Sequence, residues 1–207
     1  MKKIALVSTL GLMVSLPVFA GEKQPYVAFD IGRAAFGDDA NTPCVQVAGT
    51  VGASCKKSDT AYRFSAGYGF TNNFGIEAGY GNYGKTSVTG TVGGAASTGS
   101  IKATAFQVVG TGAYAVPVVD KLSLTAKAGL ASINAKGSAT GGLVAGSVLA
   151  ASSVRKTNFV WGIGAEYALT PAVALRANFE DLGNIGNATT IGTYKLTAFS
   201  VGALYKF

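Results

Sequence analysis

Large apolar residues and small or polar ones alternate singly along most of this chain. Tyr62, Phe64, Ala66, Tyr68 and Phe70 fall on one side of the alternation, and Arg63, Ser65, Gly67 and Gly69 on the other. Phe74, Ile76, Ala78 and Tyr80 oppose Gly75, Glu77, Gly79 and Gly81. Phe159, Trp161, Ile163, Ala165, Tyr167 and Leu169 oppose Asn158, Gly162, Gly164 and Glu166, and Leu175, Ala177 and Phe179 oppose Arg176, Asn178 and Glu180. Tyr194 to Phe207 repeats the pattern and ends on an aromatic residue. A strand sends successive side chains to opposite faces, so this period of two predicts β-strands with one greasy and one compact face.

Eight such segments are expected, over residues 25–36, 60–70, 74–86, 102–115, 121–134, 155–169, 173–185 and 193–207. Their connections alternate in length. Thr71-Asn72-Asn73, Val116 to Asp120 and Thr170-Pro171-Ala172 read as tight turns, rich in Asn, Pro and Asp. Residues 37–59, 87–101 and 135–154 read as long loops, and 186–192 as a shorter one. The expected fold is all-β, an eight-stranded antiparallel transmembrane β-barrel with short periplasmic turns and long extracellular loops.

Composition supports the membrane. Only 13% of residues are charged, against about 25% in a soluble domain, while 48% are hydrophobic and 29 are Gly. Yet after residue 20 no apolar run reaches the roughly 18 residues a helix needs to cross a bilayer. Strands in lipid must close on themselves, because an open edge would leave N–H and C=O groups unpaired. The first twenty residues carry Met1-Lys2-Lys3, an apolar stretch from Ile4 to Leu16, and Val18-Phe19-Ala20 before Gly21. That is the layout of a secretory signal peptide, so residues 1–20 are set apart from a barrel domain over 21–207. Removing Lys2 and Lys3 lowers the formal net charge of +7 by two.

The run Tyr167-Ala-Leu-Thr-Pro171, then Leu175-Arg176-Ala-Asn-Phe179-Glu180 and Gly183-Asn-Ile-Gly186, resembles the sixth-to-seventh-strand hairpin of the OmpA family. The closing Gly202-Ala-Leu-Tyr205-Lys-Phe207 is similar to that family's terminal strand. The resemblance implies a small barrel of the bacterial outer membrane, and a final Phe207 read by the outer-membrane assembly machinery. It implies no wall-anchoring role, since the peptidoglycan-binding domain that many OmpA proteins append has no counterpart before the chain stops at Phe207.

Inside such a barrel the strand phases place Asp30, Glu77, Glu166 and Glu180 with Arg63, Lys127 and Arg176. An unpaired buried charge is costly, so these groups are expected to form a salt-bridge network that plugs the lumen. The competing reading is a gate whose partners exchange to pass ions or water, which the family resemblance allows. Eight-stranded interiors are filled by side chains, and aqueous channels belong to wider barrels.

A second charge pattern lies at the outer ends of the strands. Arg33, Lys56, Lys57, Lys85, Lys102, Lys136, Arg155, Lys156 and Lys195 fall there, answered only by Asp38, Asp39, Asp59 and Asp181. The excess of cations suits a leaflet of phosphorylated lipopolysaccharide, with Lys85, Lys102, Arg155, Lys156 and Lys195 as the facing rim. A merely solvated loop surface accounts for the same charges. Nucleic acid is not the expected partner, because the cations are dispersed and the chain is exported. The barrel is expected to be a monomer.

Chemistry is sparse. Cys44 and Cys55, eleven positions apart in the first long loop, read as a disulfide in an exported protein. It would contribute on the order of 2–3 kcal/mol against the unfolded ensemble. The chain has no histidine, so no Ser-His or Cys-His pair can be built, and neither an enzyme, a metal nor a cofactor is expected. Gly79 to Thr86 matches G-x-x-x-x-G-K-[ST], but a phosphate-binding loop must open a helix, and the Gly, Thr, Ser and Ala that follow show no helical period.

Three functions remain: a structural or surface protein of the outer membrane, a small pore for ions or solutes, and an adhesin acting through loops 37–59 and 135–154. The apolar segment Leu143 to Ala151 is the feature that favours contact with a host or cell-surface ligand. A soluble exported barrel is the alternative fold.

Overall fold

The structure, a computed structural model, describes residues 24–38, 52–92, 95–140, 152–187 and 192–207. Nine strands follow in order: β1 (Gln24–Asp38), β2 (Ser54–Lys56), β3 (Ser58–Gly69), β4 (Phe74–Val92), β5 (Ala95–Ala115), β6 (Leu122–Thr140), β7 (Ser152–Ala168), β8 (Val173–Asn187) and β9 (Gly192–Lys206). All pairings are antiparallel between neighbours, and β4 also pairs with β5, so eight strands close a ring and only the short β2 stands outside it. β9 meets β1 from Tyr26↔Lys206 to Asp38↔Tyr194. The amides of Lys206 and Phe207 donate to the carbonyls of Ala172 and Pro25, which finishes the seam. Every strand of the ring thus has two neighbours, as lipid requires of spanning backbone.

The three tight turns lie where expected. Two are built alike: Thr71 Oγ1 accepts from Asn73 and Phe74 amides, and Thr170 Oγ1 accepts from the Val173 amide. The third uses Lys121 at φ 68°, a left-handed residue that reverses the chain before β6.

Side-chain direction follows the alternation. Phe29, Ile31, Phe64, Phe74, Ile76, Phe106, Leu130, Phe159, Trp161, Ile163, Leu175, Phe199, Val201 and Tyr205 all point outward and are exposed. That inverts a soluble barrel, whose large apolar groups face in, and forms the lipid-facing band. No helix among the described residues is long and apolar enough to cross a membrane.

Two expectations need correction. Residues 87–101 are not a loop: β4 and β5 stay paired from Thr86↔Ile101 to Val92↔Ala95, a hairpin rising past the membrane. Thr and Val at 86, 88, 89, 91 and 92 carry the strand propensity that the interspersed glycines obscured. Residues 54–56 of the first loop are also a strand, paired with Ser87–Thr89 of that hairpin. Residues 1–23, most of the first loop with Cys44, and Leu143 to Ala151 lie outside the described residues.

The Gly84-Lys85-Thr86 segment is a β-bulge, not a phosphate cradle. The register shifts between Asn82 and Lys85, Gly84 takes φ 71°, and its amide donates to Asn82 Oδ1. Any Cβ at Gly84 would strike Asp59, whose Oδ2 accepts from the Lys85 amide at 2.9 Å. β8 bends the same way, with Gly183 at φ 74° donating to Asp181 Oδ1.

The projecting hairpin makes a measurable prediction. In micelles, amides of Thr86–Thr91 and Ala96–Ile101 are expected to exchange with solvent deuterium as slowly as barrel amides; loop-like rates would overturn the pairing.

Candidate functional site

Inward-facing positions divide the lumen into two zones. The outer half is apolar: Phe36, Tyr83, Ile101, Ile133, Val160, Leu182, Ile185 and Leu196 are buried together with a set of alanines, and Val154 packs against them. Sequence reasoning missed this plug, because each strand contributes only one or two such residues to it. Its signal was there in the phase of Phe36, Ile133, Leu182 and Leu196, but the glycines and charges of the lower strands suggested a uniformly polar interior.

The inner half holds the charges. Asp30, fully buried, is the hub: Arg176 Nε donates to its Oδ1 at 2.7 Å and Arg176 Nη2 to its Oδ2 at 2.5 Å. Arg63 Nε donates to the same Oδ2 at 3.1 Å. Arg176 Nη1 reaches Glu77 Oε2 at 2.8 Å, and its Nη2 also donates to Ser65 Oγ at 3.0 Å. Arg63 Nη1 lies 3.1 Å from Glu77 Oε1 and 2.7 Å from Glu180 Oε1. The Nη contacts of Arg63 are close but off-line, so they are ion pairs rather than hydrogen bonds. Lys127 Nζ pairs with Glu180 Oε1 as well. Three acids and three bases therefore balance. Removing one member of such a buried cluster strands another charge and typically costs about 3–5 kcal/mol.

How these groups meet follows from register. Asp30 and Arg176 are not on neighbouring strands; both lie opposite Gly202 of β9, which separates them. Lys127 and Glu180 both lie opposite Gly162 of β7. Tyr26, whose hydroxyl donates to Glu77 Oε2 at 3.2 Å, is separated from Glu77 by Gly67 of β3. Each contact passes over a strand that presents no side chain. A Cβ at Gly202 would come within 2.2 Å of the Phe29 carbonyl and 2.4 Å of Asp30 Oδ1. Above the network the Tyr83 ring folds down over Gly81, joining the apolar plug to the charged one.

Glu166 stands apart. It faces Arg176 across the β7–β8 ladder, yet among the described residues no ion pair includes it. It sits towards the short-turn end, two residues before the end of β7, with Arg176, Lys206, Glu77 and Lys127 as its charged neighbours.

The outer wall carries the second pattern. Lys85, Lys102 and Arg155 are exposed on the outward face, in phase with Phe106 and Phe159 of the lipid band. Lys195 is also outward, but it is paired with Asp181 Oδ2 at 2.9 Å. Lys156 is not on this wall: next to Arg155 on the same strand, it takes the phase of Asn158 and Val160. Cys55 on β2 is disulfide-bonded, with no free cysteine among the described residues; Cys44 is the sequence's other cysteine.

With this geometry, the chain matches the model of the outer membrane protein beta-barrel domain over residues 6–207. The chain belongs to that family. As an outer-membrane β-barrel protein it resides in the bacterial outer membrane, among lipids, in a family that is generally non-enzymatic. Among curated proteins none matches it. Solved barrels share its fold: Neisserial surface protein A is 20% identical with a TM-score of 0.56, over 88% of this chain and 97% of that one. OprG from Pseudomonas aeruginosa is 14% identical with a TM-score of 0.56, over 90% and 98%. The N-terminal β-barrel domain of Pseudomonas aeruginosa OprF is 16% identical with a TM-score of 0.52, over 90% and 100%.

The family barrel's lumen makes a test of register. Gly202→Ala is expected to cost about 3 kcal/mol or more, because the new methyl meets the β1 backbone and parts Arg176 from Asp30. Ala203→Gly, on the lipid side of the same strand, is expected to cost about 1 kcal/mol. Urea midpoints read from the folded and unfolded bands in unboiled SDS gels check this, and equal losses would refute it.

Proposed function

We propose that this protein is a sealed outer-membrane barrel with a structural and surface role, acting through its lipid-facing wall and external strands rather than by passing solutes. The observation that carries the reading is the filled lumen: a charge-balanced network below, seated under an apolar plug. Opening a path would require separating buried ion pairs and wetting Phe36, Ile133, Leu182 and Leu196 together, two costs that add. The outer cations support lipopolysaccharide as the partner of the wall, since each gains from a nearby anionic headgroup. The adhesin alternative rests on loops 37–59 and 135–154, of which residues 39–51 and 141–151 lie outside the described residues and 135–140 and 152–154 are strand, not loop.

Purified protein in planar bilayers is expected to show no steady conductance, and neutralising Arg176 or Glu180 in turn is expected to leave that unchanged. Conductance that rises when either charge is removed would replace this reading with the gate.

Phe207 is assigned to assembly. Its amide closes onto Pro25 while its exposed ring stacks edge-on with Tyr205 at 5.1 Å, and nothing in the lumen needs it. Deleting Phe207 is expected to lower the amount of folded barrel in cells several-fold while shifting the urea midpoint of detergent-refolded protein little. A large loss of refolded stability would make it a structural residue instead.

A further inference from the structure

The outward cations are not scattered once the strands are paired. Lys85 lies directly opposite Lys102, and Lys102 directly opposite Lys136, on the adjacent strands β4, β5 and β6. Lys136 faces Ser153 of β7, and Arg155 follows two residues along on the same face. All four side chains are exposed and share the outward face. Neighbouring strands are about 4.8 Å apart, so three ammonium groups stand in one row. Like charges directly opposite destabilise a sheet. No carboxylate among the described residues pairs with these four side chains, whereas Lys56 has Asp59 and Lys195 has Asp181. Asp59, beside Lys85, is turned to Lys56 and the Lys85 amide.

Their height is also informative. On β5 the outward series runs Phe106, Thr104, Lys102, and on β7 it runs Phe159, Thr157, Arg155. Lys102 and Arg155 are each four residues beyond the last large ring of their strand, roughly 10 Å along the membrane normal for a strand tilted about 40°. Thr104 and Thr157 lie between, and opposite Thr104 on β4 and β6 stand the side-chain amides of Asn82 and Asn134. Acyl chains would end at the rings, sugar hydroxyls would meet the threonines, and phosphates would reach the cations.

We propose that Lys85, Lys102, Lys136 and Arg155 form one binding site on the barrel wall for the phosphates of a glycolipid of the outer leaflet. This rests on the surface role proposed above and names the ligand that role requires. Lys102, at the centre of the row, is the residue on which both neighbours converge. A bound phosphate turns three mutually repelling charges into partners, so the site is repulsive when empty and attractive when filled.

The two states give opposite signs to one substitution. In zwitterionic detergent, Lys102→Gln is expected to leave the thermal midpoint unchanged or raised. With lipopolysaccharide added, the wild-type midpoint is expected to rise and the Lys102→Gln rise to be mostly lost, with affinity lowered about tenfold or more. Lys121→Asn, the same charge change on a short turn at the other membrane face, is expected to retain the full rise. Dephosphorylated lipopolysaccharide is expected to give little rise, and inorganic phosphate none, which separates the lipid from its free headgroup chemistry. Equal losses for Lys102→Gln in both media, or equal rises with and without lipid phosphate, would overturn the site. Either result leaves the sealed lumen standing, and conductance in planar bilayers would overturn the sealed lumen while leaving this site intact.

Discussion

Backbone hydrogen bonding in lipid is the constraint from which the rest of this structure follows. A strand in hydrocarbon has no water to satisfy its N–H and C=O groups, so the sheet must close. Closure here is made by β9 on β1, with Phe207 and Pro25 at the last rung. Eight strands give a ring narrow enough that inward side chains from opposite walls touch. Everything inside is then a packing problem with little free volume, and everything outside is a solvation problem in lipid.

Inside, the narrow ring forces charges into contact, and glycine decides which ones. Arg176 and Asp30, Lys127 and Glu180, and Tyr26 and Glu77 each meet across a strand that contributes only hydrogen at the crossing point. The abundance of glycine on the inward face is thus tied to the reach of long polar side chains as much as to the small bore. The resulting network is charge-balanced and lies beneath Tyr83 and the apolar plug, the arrangement on which the proposed sealed lumen rests. Outside, the same alternation lays an apolar band below a row of hydroxyls and cations, the sequence of layers a lipid leaflet presents.

Much of the fold was legible from residues alone. The period of two in Phe159 to Leu169, the three tight turns and the terminal strand gave strand number, order and the face each residue takes. All seven luminal charges were placed by phase, and six of them are in one network. What failed was where local pattern is weak. The hairpin over 87–101 is rich in Gly, Thr, Ser and Ala, a composition that reads as loop, and its pairing depends on β4 and β5 holding one another with β2 and β6 beside them. Lys156 was grouped with Arg155 by nearness in sequence, although neighbours on a strand must diverge.

The sequence by itself determined the side of the wall on which each residue lies, because alternation is a local property of an extended chain. It could not determine which residues on different strands stand level with each other. That depends on register, set by the bulges at Gly84 and Gly183 and by closure of the ring. Register turned three dispersed lysines into a row with Arg155 close by, answered by no acid among the described residues, and it placed glycines between the luminal partners. Only the tertiary structure could decide this, because one residue of slip between strands would separate Lys85 from Lys102 and Arg176 from Asp30 while leaving every strand's own pattern unchanged.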